Sequence, residues 1–130
     1  MSAAKTILVA YDDPESKTLA RAADLADGLK ASLIVVNVSP DDREETEGAC
    51  RYGRERLDQA RTYLTERGLE VELVQASGQP AEAIVALAQE RGADIIVVGM
   101  RRKGFFERLV EGSVAQNVMR RATCDVLAVH

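Results

Sequence analysis

Apolar residues occur along this chain in two patterns, as short continuous runs and at intervals of three and four residues. Four short, continuous aliphatic runs predict strands that are covered on both faces, as in a parallel sheet. These runs are Ile7–Ala10, Leu33–Val36, Ile95–Val98 and Val126–Val129. A fifth stretch, Glu70–Val74, begins with polar and apolar residues in alternation, which is typical of a half-exposed strand. We therefore expect this strand to lie at an edge of the sheet.

Between the strand runs, apolar residues recur at intervals of three and four, which places them on one face of a helix. The predicted helices cover Pro14 to Leu29, about Glu45 to Arg67, and Pro80 to Gly92, and a fourth begins at Ser113. Asp13 before Pro14, and Ser113 with Gln116, have the spacing of helix caps. The predicted inward residues are Leu19, Ala22, Ala26 and Leu29; Cys50, Gly53, Leu57, Ala60 and Leu64; Ala81, Ile84, Val85 and Ala88; Val114, Val118 and Ala122.

The order of these elements predicts the fold class. Strands that alternate with helices through short connections indicate a parallel sheet with right-handed crossovers and helices on both faces. A length of 130 residues fits one domain, and an apolar content of 46% argues against disorder. We therefore expect residues 1–130 to form a single α/β domain.

The net charge, the two cysteines and the single histidine argue against several classes of function. A net charge of −4 disfavours nucleic acid and anionic membranes as partners, so any anion site must be local. No segment approaches the roughly 20 apolar residues of a membrane helix, and the first residues lack the apolar stretch of a signal peptide. Cys50 and Cys124 lie far apart, which indicates reduced thiols and a cytoplasmic location. The single histidine, His130, argues against a His-based triad or zinc site.

Candidate ligand-binding residues follow the predicted carboxyl ends of the strands, where open α/β sheets bind ligands. The first run leads into Tyr11–Asp13, and the fourth leads through Gly99 into the basic segment Arg101–Lys103. Gly112 and Ser113 then begin the last helix, whose free N–H groups and partial positive charge suit a phosphate. A simple helix cap at Ser113 with two turn glycines explains the same local features, so both interpretations stay open.

The wider pattern resembles a known family. Gly99-x-x-Arg102, nine residues and then Gly112-Ser113 is similar to the signature of universal stress proteins: glycine-x-x-glycine, nine residues, glycine-serine or threonine. Similarity to the same family extends along nearly the whole chain, including Lys5–Asp12, Pro80–Ile84 and Cys124–Val129.

The resemblance implies a five-stranded parallel sheet in the order 3-2-1-4-5, with a nucleotide site between strands one and four. Asp12 is then expected near ribose and adenine, and the backbone of Val38 against adenine. The phosphate-binding residues carried over are Gly99, Arg102, Gly112, Ser113 and Val114. The implied cofactor is ATP, with Mg²⁺ left open. Arg102 replaces the second glycine of the signature, so it either obstructs ATP or adds a positive charge to the phosphate loop.

The resemblance also implies a function and a partner. We expect a regulatory module that binds ATP or a related nucleotide in the stress response and forms a homodimer through the C-terminal strand, Val126–Val129. The alternative is a nucleotide-free dimeric scaffold of the same fold. No residue stands out as a general base, so we expect at most slow ATP hydrolysis. A phospho-receiver is disfavoured because the third strand leads into Gln75 rather than an aspartate.

Overall fold

The computed structural model describes residues 5–11, 17–39, 47–100 and 114–129, with side chains from residue 53 onward in the third range. Its five strands are all parallel and lie in the order β3-β2-β1-β4-β5, which confirms the predicted topology. Their bounds are β1 Thr6–Ala10, β2 Ser32–Ser39, β3 Val71–Ser77, β4 Ile95–Gly99 and β5 Asp125–Val129.

Four described helices cover the two faces of the sheet. Their bounds are α1 Thr18–Leu29, α2 Glu47–Glu66, α3 Pro80–Arg91 and α4 Val114–Arg121. Helices α1 and α2 pack on one face, and α3 and α4 pack on the other. The predicted doubly covered sheet is therefore confirmed. In the part of the chain that the structure describes, no helix is long and apolar enough to cross a membrane.

The central strand shows why the aliphatic runs are continuous. Ile7 and Val9 point into the core beneath α1 and α2, while Leu8 points into the core beneath α3 and α4. All three are 0% exposed. Since successive side chains of a strand point to opposite faces, a strand covered on both faces needs apolar residues at every position.

Strand β3 ends one side of the sheet, as its alternating pattern predicts. Its residues are partly buried or exposed, and Glu72 is held by Arg91 from the last turn of α3. Arg91 Nη2 donates to Glu72 Oε2 at 2.8 Å, and Arg91 Nε also donates to this carboxylate. The ion pair places two charged groups at the outer strand.

Helix α1 departs from its predicted bounds and face. It begins at Thr18 rather than Pro14, and the predicted Asp13 cap lies outside the described residues. Leu29 is 41% exposed, so its predicted inward position is wrong. At about 100° between successive helical residues, Leu29 lies on the same side of the helix as Ala22 and Ala26, so its exposure comes from its position at the helix end. Leu29 is the last helical residue, directly before Lys30, which is left-handed with φ 56°.

One predicted inward residue of helix α4 is also exposed. Ala115 and Val118 are both 0% exposed and form its inward face, whereas Val114 is 39% exposed. The inward prediction for Val114 is therefore wrong, because this residue and Met119 flank the buried stripe on opposite sides. The predicted cap at Ser113 and the side chain of Cys50 lie outside the described residues.

Candidate functional site

The candidate site is the crevice at the carboxyl ends of β1, β2 and β4. Val9 of β1 pairs with Val35 of β2 on one side and with Val97 of β4 on the other. The chain moves outward from β1 to β3 through β2, and then crosses back over β1 to β4. This reversal of strand order opens a crevice beyond the strand ends, the usual ligand position in such sheets.

Three of the sequence-predicted site residues are described, and all belong to this edge. Val38 and Gly99 lie at the carboxyl ends of β2 and β4, on either side of β1. Val114 begins α4, which must start at the carboxyl edge because it connects the parallel strands β4 and β5. The other four, Asp12, Arg102, Gly112 and Ser113, lie outside the described residues.

Gly99 packs directly against the first residue of α1. A Cβ atom added to Gly99 would lie 2.6 Å from Thr18 Oγ1, which is closer than real contacts allow. Thr18 is 2% exposed, so it is enclosed where α1 meets the end of β4. The family resemblance implies a phosphate-binding role for this glycine. The structure adds a reason within the protein itself, because any larger residue at position 99 would displace Thr18.

The exit of β1 is held from β2 by two hydrogen bonds. The Tyr11 N–H donates to the carbonyl of Val36 at 2.9 Å, and the Tyr11 carbonyl accepts from Asn37 Nδ2, also at 2.9 Å. Asn37 and Tyr11 are only 3% and 6% exposed. Asn37 is not among the site residues predicted from the sequence. Its signal is a lone amide that follows the aliphatic run Leu33–Val36 inside a strand.

Helix α2 approaches this region closely at Gly53. A Cβ atom added there would overlap the side-chain amide of Gln75 and lie 3.0 Å from Asn37 Oδ1. Asn37 and Gln75 are paired neighbours on β2 and β3. We call these two amide side chains the polar seam. The absence of a side chain at Gly53 is what allows α2 to pack over it.

The described residues predicted for the site carry aliphatic side chains or no side chain. Val38 and Val114 supply aliphatic surface, and Gly99 supplies backbone without a side chain. Within the described ranges, no group of three or more acidic, cysteine or histidine side chains is placed to hold a metal ion.

These features define a doubly wound α/β protein whose strand order reverses between β1 and β4. Residues 3–130 match the model of the universal stress protein family. The chain belongs to this family, which confirms the resemblance seen in the sequence.

One relative with a similar sequence supports this membership. A universal stress protein of Methanocaldococcus jannaschii is 34% identical over 106 residues, covering 75% of this chain. This chain spans less than two thirds of that relative, 62% of its length.

Two solved structures share the fold over nearly their whole length. The crystal structure of a universal stress protein in complex with cAMP is 30% identical, with a TM-score of 0.81 and 99% of each chain covered. The universal stress protein from Archaeoglobus fulgidus in complex with dAMP is 22% identical, with a TM-score of 0.80 and 100% of each chain covered. At that lower identity, the second likeness supports the fold alone.

Proposed function

We propose that this protein is a regulatory module of the stress response that binds ATP or a related adenine nucleotide at the carboxyl edge of its sheet. One observation carries the proposal. The 30% identical structure that is in complex with cAMP matches this chain over 99% of its length, including the strands that form the crevice. The unpaired thiol of Cys124 supports placing the module in the reducing cytoplasm.

The geometry of the crevice supports a ligand that lies across the end of β1. Val38 and Gly99 belong to strands on opposite sides of β1, two strand spacings apart, or about 10 Å. In the proposed arrangement, adenine lies against the backbone of Val38 and Asp12 contacts the ribose. The phosphates then reach Gly99, Arg102 and the start of α4, for which Gly112, Ser113 and Val114 are the proposed residues.

Arg102 decides between the two candidate functions. If position 102 needs a positive φ, an arginine there costs roughly 1–2 kcal/mol of strain. A charge-assisted hydrogen bond from its guanidinium to a phosphate contributes roughly 1.5–3 kcal/mol. The two free energies are comparable, and the range of the gain extends higher than that of the cost, so we propose that ATP binds with Arg102 on the triphosphate.

Titration calorimetry with ATP at two salt concentrations tests this role. We expect binding that weakens with salt, and a loss of about tenfold or more in affinity for Arg102→Ala. Arg101→Ala removes the same charge from the neighbouring position and is the matched control, with a smaller expected loss. If the wild type binds no ATP at millimolar concentration while Arg102→Gly does, the arginine blocks the site. The nucleotide-free scaffold would then be the better function.

We also propose that two copies associate through β5. This strand ends the sheet on the side opposite β3, and Leu127 on it is 39% exposed. An apolar edge strand with unpaired backbone groups favours pairing with another strand. Leu127→Lys should weaken association, because pairing would then desolvate a charge.

The matched control for the dimer is Leu29→Lys, which changes a leucine that is 41% exposed on α1, away from β5. Sedimentation or light scattering at tens of micromolar reports the assembly state. We expect a wild-type dimer that persists in Leu29→Lys and is lost in Leu127→Lys. A monomeric wild type at these concentrations would refute the proposed dimer.

A further inference from the structure

The side chain of Asn37 makes a hydrogen bond to the backbone of another strand's end. Asn37 lies in β2 with 3% of its surface exposed, and its Nδ2 donates to the carbonyl of Tyr11 at 2.9 Å, across 26 residues of sequence. Tyr11 directly follows β1. At this point the side chain of one strand donates to a backbone carbonyl that follows its neighbour.

The consequence concerns the direction in which the chain leaves β1. The Tyr11 N–H is already bound to the carbonyl of Val36, so both backbone groups of Tyr11 are held by consecutive residues of β2. Because the peptide unit is planar, the orientation of the Tyr11 carbonyl sets the direction of the C–N bond that leads from Tyr11 to the next residue in the sequence, Asp12. Asp12 is the residue proposed for the ribose.

The position of the Asn37 amide is itself restricted. Its Oδ1 lies 3.0 Å from where a Cβ of Gly53 would stand, and Gln75 is its paired neighbour on β3. The amide is therefore enclosed between α2 and the sheet, with its nitrogen directed at the Tyr11 carbonyl. A side chain packed in this way provides a rigid support for the exit of β1.

We infer that Asn37 is a positioning residue for the nucleotide site, one that orients the exit of β1 through its hydrogen bond to the Tyr11 carbonyl. The inference rests on the proposed function and adds to it a residue that does not touch the ligand. It separates two roles along β2, since Val38 is proposed to contact adenine while its neighbour Asn37 holds the adjacent strand.

Asn37→Leu is the principal test, because leucine has the same branched arrangement of heavy atoms and cannot donate a hydrogen bond. We expect ATP affinity to fall by about tenfold or more, measured by calorimetry. Asn37→His should keep the affinity within about threefold of wild type, since its Nδ1 stands at the same bond distance from Cβ and can donate. Leu33→Ala is the matched control. It alters a residue that is 1% exposed on the same strand and the same face, at the opposite end. It should lower the urea midpoint yet leave ATP affinity within about twofold.

Hydrogen exchange gives a readout that does not depend on the ligand. The segment that covers the end of β1 should exchange faster in Asn37→Leu than in wild type, while α3 and β4 remain protected. Should Asn37→Leu fail to fold, Asn37→Thr replaces it, because threonine suits a strand and is too short to reach the carbonyl.

The outcomes separate the two claims. If the wild type binds ATP and a folded Asn37→Leu or Asn37→Thr binds it equally well, the positioning role is overturned and the proposed function stands. The positioning role also falls if Leu33→Ala loses as much affinity as Asn37→Leu. A wild type that binds no adenine nucleotide overturns both, and this failure is visible before any substitution is made.

Discussion

Replacing Gly99 with alanine would place a methyl group 2.6 Å from Thr18 Oγ1. The next heavy atom, Thr18 Cβ, is 3.9 Å away, so the hydroxyl alone creates the conflict. Thr18 is 2% exposed and begins α1, which leaves it little room to move. Gly99 is not one of the described glycines with positive φ, so backbone strain is not part of the cost. We therefore expect the ordinary cost of overpacking, about 1–3 kcal/mol of unfolding free energy.

A double-mutant cycle with Thr18→Ala tests this reasoning. Removing the hydroxyl leaves only the contact at 3.9 Å, which is an ordinary van der Waals distance. In the Thr18→Ala background, Gly99→Ala should cost nearly nothing, which corresponds to a coupling energy of about 1–3 kcal/mol. Urea unfolding at equilibrium measures all four proteins, and equal m-values would show that the unfolded states are comparable.

Gly28→Ala is the control for adding a methyl group without a neighbour. Nothing lies within 4 Å of that Cβ position, so alanine in this helix should be neutral or stabilising by up to about 1 kcal/mol. Additive effects in the Gly99 and Thr18 cycle would refute the packing explanation. ATP affinity of the double variant then separates the two reasons for the glycine. If affinity is lost although stability is restored, Gly99 also serves the ligand.

Two further predictions concern α4 and the strand that follows it. Val118→Ala should lower the unfolding free energy by about 2 kcal/mol because Val118 is 0% exposed, whereas the 39% exposed Val114 should tolerate alanine within about 0.5 kcal/mol. Urea midpoints of the two variants check this, and equal losses would contradict the face assigned to α4. Burial, followed by the charges of nearby carboxylates, raises the pKa of the Cys124 thiol. Less thiolate is then present at pH 8, so alkylation of a Cys50→Ser variant should be slower than that of free cysteine and have its midpoint at a higher pH. A midpoint at or below that of free cysteine would contradict the raised pKa.

The fold was largely predictable because its signals are local. A continuous run such as Ile7–Ala10 indicates coverage on both faces, and the alternation from Glu70 indicates an edge strand. The error at Val114 arises because helical periodicity defines the centre of a buried stripe better than its borders, and the error at Leu29 arises because periodicity does not show where along a helix the buried part ends. Whether a flanking residue is covered depends on where the neighbouring elements end, and the periodicity of one helix carries no such information.

The site was less predictable for a related reason. Sequence motifs indicate which residues belong to a ligand crevice, and three of these residues belong to the predicted edge of the sheet. The contacts that hold this edge in place depend instead on how separate strands and helices align in the folded protein. The bond from Asn37 to Tyr11 joins two strands, and the contact of Thr18 with Gly99 joins a helix start to a strand end. Neither pairing has a spacing that a sequence pattern would reveal.

Because of the ion pair between Glu72 and Arg91, the two edges of the sheet differ in how readily they can pair with a strand of another molecule. At β3, charged groups line the outer strand and make it a poor template for another strand. At β5, the outer strand presents Leu127 instead of such a pair. A sheet with two open edges can extend into a filament, whereas a sheet with one open edge closes after a single pairing through a twofold axis. In the proposed pairing through β5, the salt bridge at the far end of the sheet would therefore oppose growth beyond two copies.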